Sequence, residues 1–261
     1  MKFRNVLIAI AISFFIFSCS AAENLMKEVA ELSVDVTPEQ KRRITKKARK
    51  VQFKKVQSIS RSGMDRVALK KGQWVTTLTE MKGGSSDLVL TTTKVVGMSG
   101  KTLILETEVY SASDSDGATY TQVTYQNVPP RAKLSYSKAE SDRINKKLIV
   151  KQMLIKQGEG PVQKMPQKFL EFQRSAGGIV ASAVRIGKTS TSKCRTSYIK
   201  SDRCITYKIK TSALGKKVVS TVYAHSKVPI SGMVKMASDE MDVTTIAYGY
   251  SGARQQIHYL K

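Results

Sequence analysis

A chain of 261 residues, 41% hydrophobic and 25% charged, has ample apolar material for a folded core, which excludes a disordered polyelectrolyte and allows one large domain or two small ones. Its 44 Lys and Arg against 20 Asp and Glu give a formal charge of +24, a field that draws polyanions and anionic membrane faces without selecting one. Beyond the N-terminus no apolar run approaches the ~20 residues of a membrane helix.

The N-terminus itself reads as an export signal. Met1 to Asn5 carry Lys2 and Arg4, Val6 to Phe17 are apolar apart from Ser13, and Ser18-Cys19-Ser20-Ala21-Ala22 are small. Ile16-Phe17-Ser18-Cys19 resembles the lipobox of a bacterial lipoprotein, with Phe17 where a small residue is usual. The resemblance implies a diacylglycerol on Cys19, cleavage just before it, and attachment to the membrane through that lipid. Ser20, where Asp would retain a lipoprotein at the inner membrane, implies the outer membrane of a diderm bacterium, at its periplasmic face or the cell surface. The competing reading is cleavage after Ala22, because Ser20-Ala21-Ala22 also fits a small-x-small site, and a free periplasmic or secreted protein. The chain thus divides into a signal peptide (1–18), a tether (19–36) and a single β-rich domain (37–261). Export argues against nucleic acid as a main partner.

Thr37-Pro38-Glu39-Gln40 has capping-box chemistry with Pro at the first helical position, and predicts a helix over about 38–50. Ile44, Ala48 and Val51 fall on one face, while Arg42, Arg43, Lys46, Lys47 and Lys50 cover much of the rest. With Lys54 beyond its end, this basic cluster is a candidate contact for a membrane surface or an anionic polymer.

After Gly72 the period changes to that of strands. Runs over 73–81, 87–96, 101–111 and 119–127 are rich in β-branched residues and separated by Gly, Ser and Asp, which predicts an antiparallel meander anchored in the core by Trp74. The abundant Thr and Ser are read as exposed strand faces. Val128-Pro129-Pro130 interrupts the sheet, and the helical or loop insertion near 130–180 is the natural place for a cover or lid. Residues 138–157 fit either a helix or a strand; a strand is expected over 147–156 and a short helix over 166–174. Strands over 180–188, 192–199, 203–210 and 216–225 follow, with a turn at Lys200-Ser201-Asp202, and then 233–237 and 243–251. Cys194 and Cys204 are an even pair once Cys19 is set aside, so an oxidising compartment predicts a disulfide, with buried free thiols as the alternative.

No arrangement recommends an enzyme, a cofactor or a metal site. Gly187-Lys188-Thr189 lacks the upstream glycine of a phosphate loop, since residue 182 is Ser. His225 and His258 stand alone, and no CxxC or HxxxH spacing occurs. Glu106 and Glu108 share a strand face and are expected to pair with lysines.

The order of elements, from the N-terminal helix through the strands begun by Gln73-Trp74 to Val228-Pro229-Ile230-Ser231-Gly232-Met233-Val234-Lys235, is similar to the half-barrel carriers LolA, LolB and LppX. That resemblance implies an α+β, mainly antiparallel fold: a large curved sheet or half-barrel with a few covering helices and an apolar cleft that binds lipid or lipoprotein. The expected function is that of a non-enzymatic exported lipoprotein of this kind. The alternative is a surface-exposed adhesin whose basic face binds polyanions or host glycans.

Overall fold

The computed structural model describes residues 36–60, 66–82, 87–112, 117–129, 131–167, 170, 185–213 and 216–258. Cys19, the tether and nearly all of the expected helix at 166–174 lie outside them. Helix α1 spans Pro38–Val51 and α2 spans Lys138–Lys147. The strands are β1 (Gln57–Ser58), β2 (Arg66–Ala68), β3 (Trp74–Met81), β4 (Leu88–Ser99), β5 (Thr102–Ser111), β6 (Thr119–Gln126), β7 (Arg131–Lys133), β8 (Ile149–Gln157), β9 (Gln163–Lys164), β10 (Arg185–Arg195), β11 (Ile199–Ala213), β12 (Lys216–Ala224), β13 (Met233–Ala237) and β14 (Met241–Gly249).

The fold is mainly antiparallel β, built on a large open sheet of 12 strands that does not close on itself. Its order is β1-β11-β12-β13-β14-β3-β4-β5-β6-β8-β9, with β10 paired to β11. Two meanders therefore meet where β14, the last strand, pairs with β3. Among the described residues only the β1–β11 pair is parallel; the 11-residue β10 pairs with β11 alone and so forms one edge, while at the other end β9 covers just Leu154 and Ile155 of β8. A separate β2–β7 ribbon places Val67 in one apolar cluster with Leu134, Tyr207, Val222 and Met236. Gly232, at φ +71°, lies where any side chain would collide with Leu134.

Several expectations change in detail. Strand β4 continues through Gly97, which pairs with Ile104 after a register shift that takes up Val96, and a Cβ on the glycine would meet the Ile104 side chain. The ambiguous stretch is both elements in succession, α2 and then β8, because Ser137 and Glu140 form a capping box that starts the helix. The expected strands at 180–188 and 192–199 meet in one strand, β10. Its turn to β11 lies at residues 196–198, where the Thr196 hydroxyl accepts the Tyr198 and Ile199 N–H groups. Lys200, Ser201 and Asp202 are strand residues despite their turn-like chemistry, and the Ser192↔Cys204 and Cys194↔Ser201 pairs flank a bulge. That bulge brings Cys194 and Cys204 into a disulfide.

Candidate functional site

The long strands present two faces, and cross-strand partners share a face. On what we term the core face, Thr245, Thr77, Thr91, Val109, Thr119 and Gln157 are successive register partners from β14 through β3, β4, β5 and β6 to β8. Two residues along, Val75, Thr93, Thr107, Thr121 and Ile155 make a parallel row. Burial of these threonines corrects the expectation of exposed strand faces: Thr91 and Thr119 are each 1% exposed. The Thr245 hydroxyl donates to the Met233 carbonyl at 2.5 Å. Among the described residues, the hydroxyls of Thr77, Thr91, Thr119 and Thr121 and the Gln157 amide nitrogen have no partner. Apolar side chains flank this polar band. Val75, Val95, Leu105 and Val123 belong to the main cluster, and Met236 and Val243 to the cluster under the β2–β7 ribbon. A signal for the band was present in the sequence as Thr alternating with Val at two-residue spacing, but the register that aligns it across strands was not.

On the opposite face, which we call the helix face, sits α1. Both capping-box bonds are made: the Thr37 N–H donates to Gln40 Oε1 at 2.7 Å, and the Gln40 N–H donates to Thr37 Oγ1 at 3.3 Å. Ile44 and Ala48 pack with Leu90, Ala112 and Ile246, which seats the helix on β4 and β14. Val51, expected on the same buried stripe, is 44% exposed, because the chain turns to extended backbone at Gln52 just beyond it. Of the basic residues, Arg42, Arg43, Lys46 and Lys50 are exposed. Lys47 is half-buried, its ammonium 3.8 Å from the centre of the Tyr110 ring. Lys54 folds back to donate to the Arg49 carbonyl at 2.6 Å, satisfying a helix-terminal acceptor.

Beneath α1 the helix face carries a buried charge cluster. Glu106, fully buried, accepts the backbone N–H groups of Gln256 and Ile257 at 3.0 Å. Lys94 bridges it at 3.7 Å to Glu108, which it contacts at 2.8 Å, so both carboxylates share one lysine as expected. Burial, and then the Glu108 charge, push the Tyr110 and Tyr120 phenols up, so both remain neutral donors. Trp74 departs from its expected role. It is half-buried at the rim of this face, donating to the Ser251 carbonyl at 3.2 Å, and Gly249 has no side chain because the indole occupies that space.

The remaining candidates do not join a site. His225 is buried and its pKa is lowered by burial, while His258 is exposed. No group of metal-binding side chains occurs among the described residues, and none of their helices is long and apolar enough to cross a membrane. An open cleft of about 600 Å3 lies by the disulfide hairpin, between Ser60, Lys193 and Asp202. No protein-family model, curated protein or solved structure matches this chain.

Proposed function

We propose that the protein is a non-enzymatic exported lipoprotein, anchored at the outer membrane through a lipid on Cys19, that holds an amphiphile against the core face of its sheet. The supporting observation is the band of buried hydroxyls that have no partner among the described residues. Each buried, unpaired polar group costs about 1–3 kcal/mol, and four such hydroxyls on β3, β4 and β6 are a cost that a bound oxygen-rich group would offset. Ester or hydroxyl oxygens of a lipid would meet the band, and acyl chains would lie on the apolar clusters that flank it. The lipobox-like Ile16–Cys19 segment supports the anchor, and α1 begins fewer than twenty residues downstream, so its lysines and arginines would act at the same membrane surface.

Mass spectrometry of the full-length protein extracted from its native membrane tests both halves of the reading. The expected result is an N-terminus at Cys19 carrying acyl chains, together with a co-purified amphiphile that is lost from Thr91→Val/Thr119→Val. An unmodified N-terminus at Glu23 removes the anchor. Protein that carries no small molecule, or that keeps its full load in the double variant, removes the binding role.

A further inference from the structure

On the helix face an open cleft of about 430 Å3 lies between α1 and strands β3, β4 and β5. Its size falls within the ~300–1,000 Å3 of small-ligand sites. Lys47 and Lys50 form one wall, Trp74 and Tyr110 supply ring surface, and Glu108 and Thr92 provide polar groups. Apart from Lys50, whose side chain is exposed, each of these is positioned by something other than a ligand. Ile44 and Ala48 fix the helix, the Ser251 carbonyl and the bare Gly249 backbone fix the indole, and Lys94 fixes Glu108. Thr92 shares a 3.0 Å hydrogen bond with Thr76. The cleft is therefore preorganised, and filling it requires little ordering of side chains.

The chemistry of the wall selects a ligand class. Among the described residues neither Lys47 nor Lys50 has a carboxylate partner, and the cation of Lys47 is held over the Tyr110 ring. Glu108 keeps 18% of its side chain exposed, leaving it able to accept from a ligand hydroxyl. Two ammonium groups beside aromatic rings and a hydroxyl-accepting carboxylate suit a polyhydroxylated ring that bears an anion. They suit a bare anion poorly, because Glu108 would repel it, and a neutral ring leaves both lysines unused.

We propose that this cleft binds a sugar unit carrying a phosphate or sulfate group, with the oxyanion at Lys47 and Lys50, a ring face on Trp74, and a hydroxyl donating to Glu108. The site lies on the face opposite the hydroxyl band and stands whether or not an amphiphile occupies that band. Such a unit occurs both in glycolipid head groups and in free or polymeric glycans.

Trp74 is the only tryptophan in the chain, so its fluorescence reports this cleft directly. The full-length protein is titrated at constant ionic strength with glucose 6-phosphate, glucose and inorganic phosphate. The expected result is a saturable change with glucose 6-phosphate at an affinity about tenfold or more above either component, weakened about tenfold or more in Lys47→Gln/Lys50→Gln. An equal response to inorganic phosphate, no response to the sugar phosphate, or an unchanged affinity in the double variant overturns the proposal. A phosphorylated glycolipid in vesicles and its deacylated saccharide distinguish the sources. A response to both identifies the sugar as the recognised unit, whereas an equal response to phosphatidylglycerol vesicles, with none to the saccharide, identifies a membrane contact and overturns it.

Discussion

The two faces of strands β3 to β8 treat buried polarity in opposite ways. On the helix face a fully buried carboxylate, Glu106, meets two backbone N–H groups and the Lys94 ammonium. On the core face, the milder hydroxyls of Thr91 on β4 and Thr119 on β6 meet no partner among the described residues. A charge without partners in such a place would be neutralised or expelled, whereas an unpaired hydroxyl persists at a cost of about 1–3 kcal/mol. The helix-face cluster is complete and ties the C-terminal segment to the sheet, while the core-face band lacks partners among the described residues.

The contrast is broken most severely at Glu106. Glu106→Ala leaves Lys94 with Glu108 alone, and the Gln256 and Ile257 N–H groups with no acceptor on the sheet; a loss of about 3–5 kcal/mol is expected in denaturant unfolding. Replacing the pair together, Glu106→Leu with Lys94→Met, should recover much of that loss. A single variant as stable as the wild type would show that the cluster does not hold the C-terminal segment down. The disulfide is next in size. Reducing Cys194–Cys204, whose sequence separation is 10, should cost roughly 2–3 kcal/mol, read as a lower Tm under reducing conditions. An unchanged Tm would mean that β10 and β11 are held by their ladder alone.

The core face predicts a change of opposite sign. In ligand-free protein Thr91→Val and Thr119→Val remove an orphaned hydroxyl at nearly constant shape, so each should raise stability by about 1 kcal/mol while amphiphile loading falls. Destabilisation of the ligand-free protein by both would show that these hydroxyls are satisfied after all, and would erase the distinction between the faces.

How far these features were legible in the sequence depends on how local their physics is. Thr37, Pro38 and Gln40 announce α1 because a capping box is made within four residues. The meander was legible from β-branched runs closed by Gly, Ser and Asp, and Glu106 and Glu108 from two-residue spacing opposite an abundance of lysine. The turn at 196–198 was not, because the deciding interaction is one hydroxyl, that of Thr196, competing with the more turn-like Lys200-Ser201-Asp202. Nor was the place of Trp74, which follows from a glycine 175 residues away that pairs with it only through the β3–β14 register. The hydroxyl band needed that register as well. Thr77, Thr91 and Thr119 are each ordinary strand threonines until the pairing places them in a single row.

The smallest effect expected concerns the β2–β7 ribbon, whose Val67 packs with Leu134, Met236 and Val243. Lys133, next to the Leu134 that packs with Val67, contacts Glu140 of α2 at 2.6 Å, and the Ser137 N–H and hydroxyl also donate to that carboxylate. Lys133 first, and Ser137 after it, hold the Glu140 carboxyl down at about 2 from an ordinary 4.5. A carboxyl lowered by folding contributes stability that is fully present above its unfolded value and is lost as the pH falls towards the folded one. The bond between α2 and β7 should therefore hold at pH 6 and weaken between about 4.5 and 2. Because the pair is partly exposed, the effect is screened and confined to its neighbourhood. Hydrogen exchange should show α2 and β7 amides losing protection in that window, while amides of β4 and β5, between the two faces, keep theirs. Glu140→Gln should remove the pH step in α2. If α2 and β4 instead lose protection together, the ribbon and the sheet open as one unit and the Lys133–Glu140 bond does not act locally.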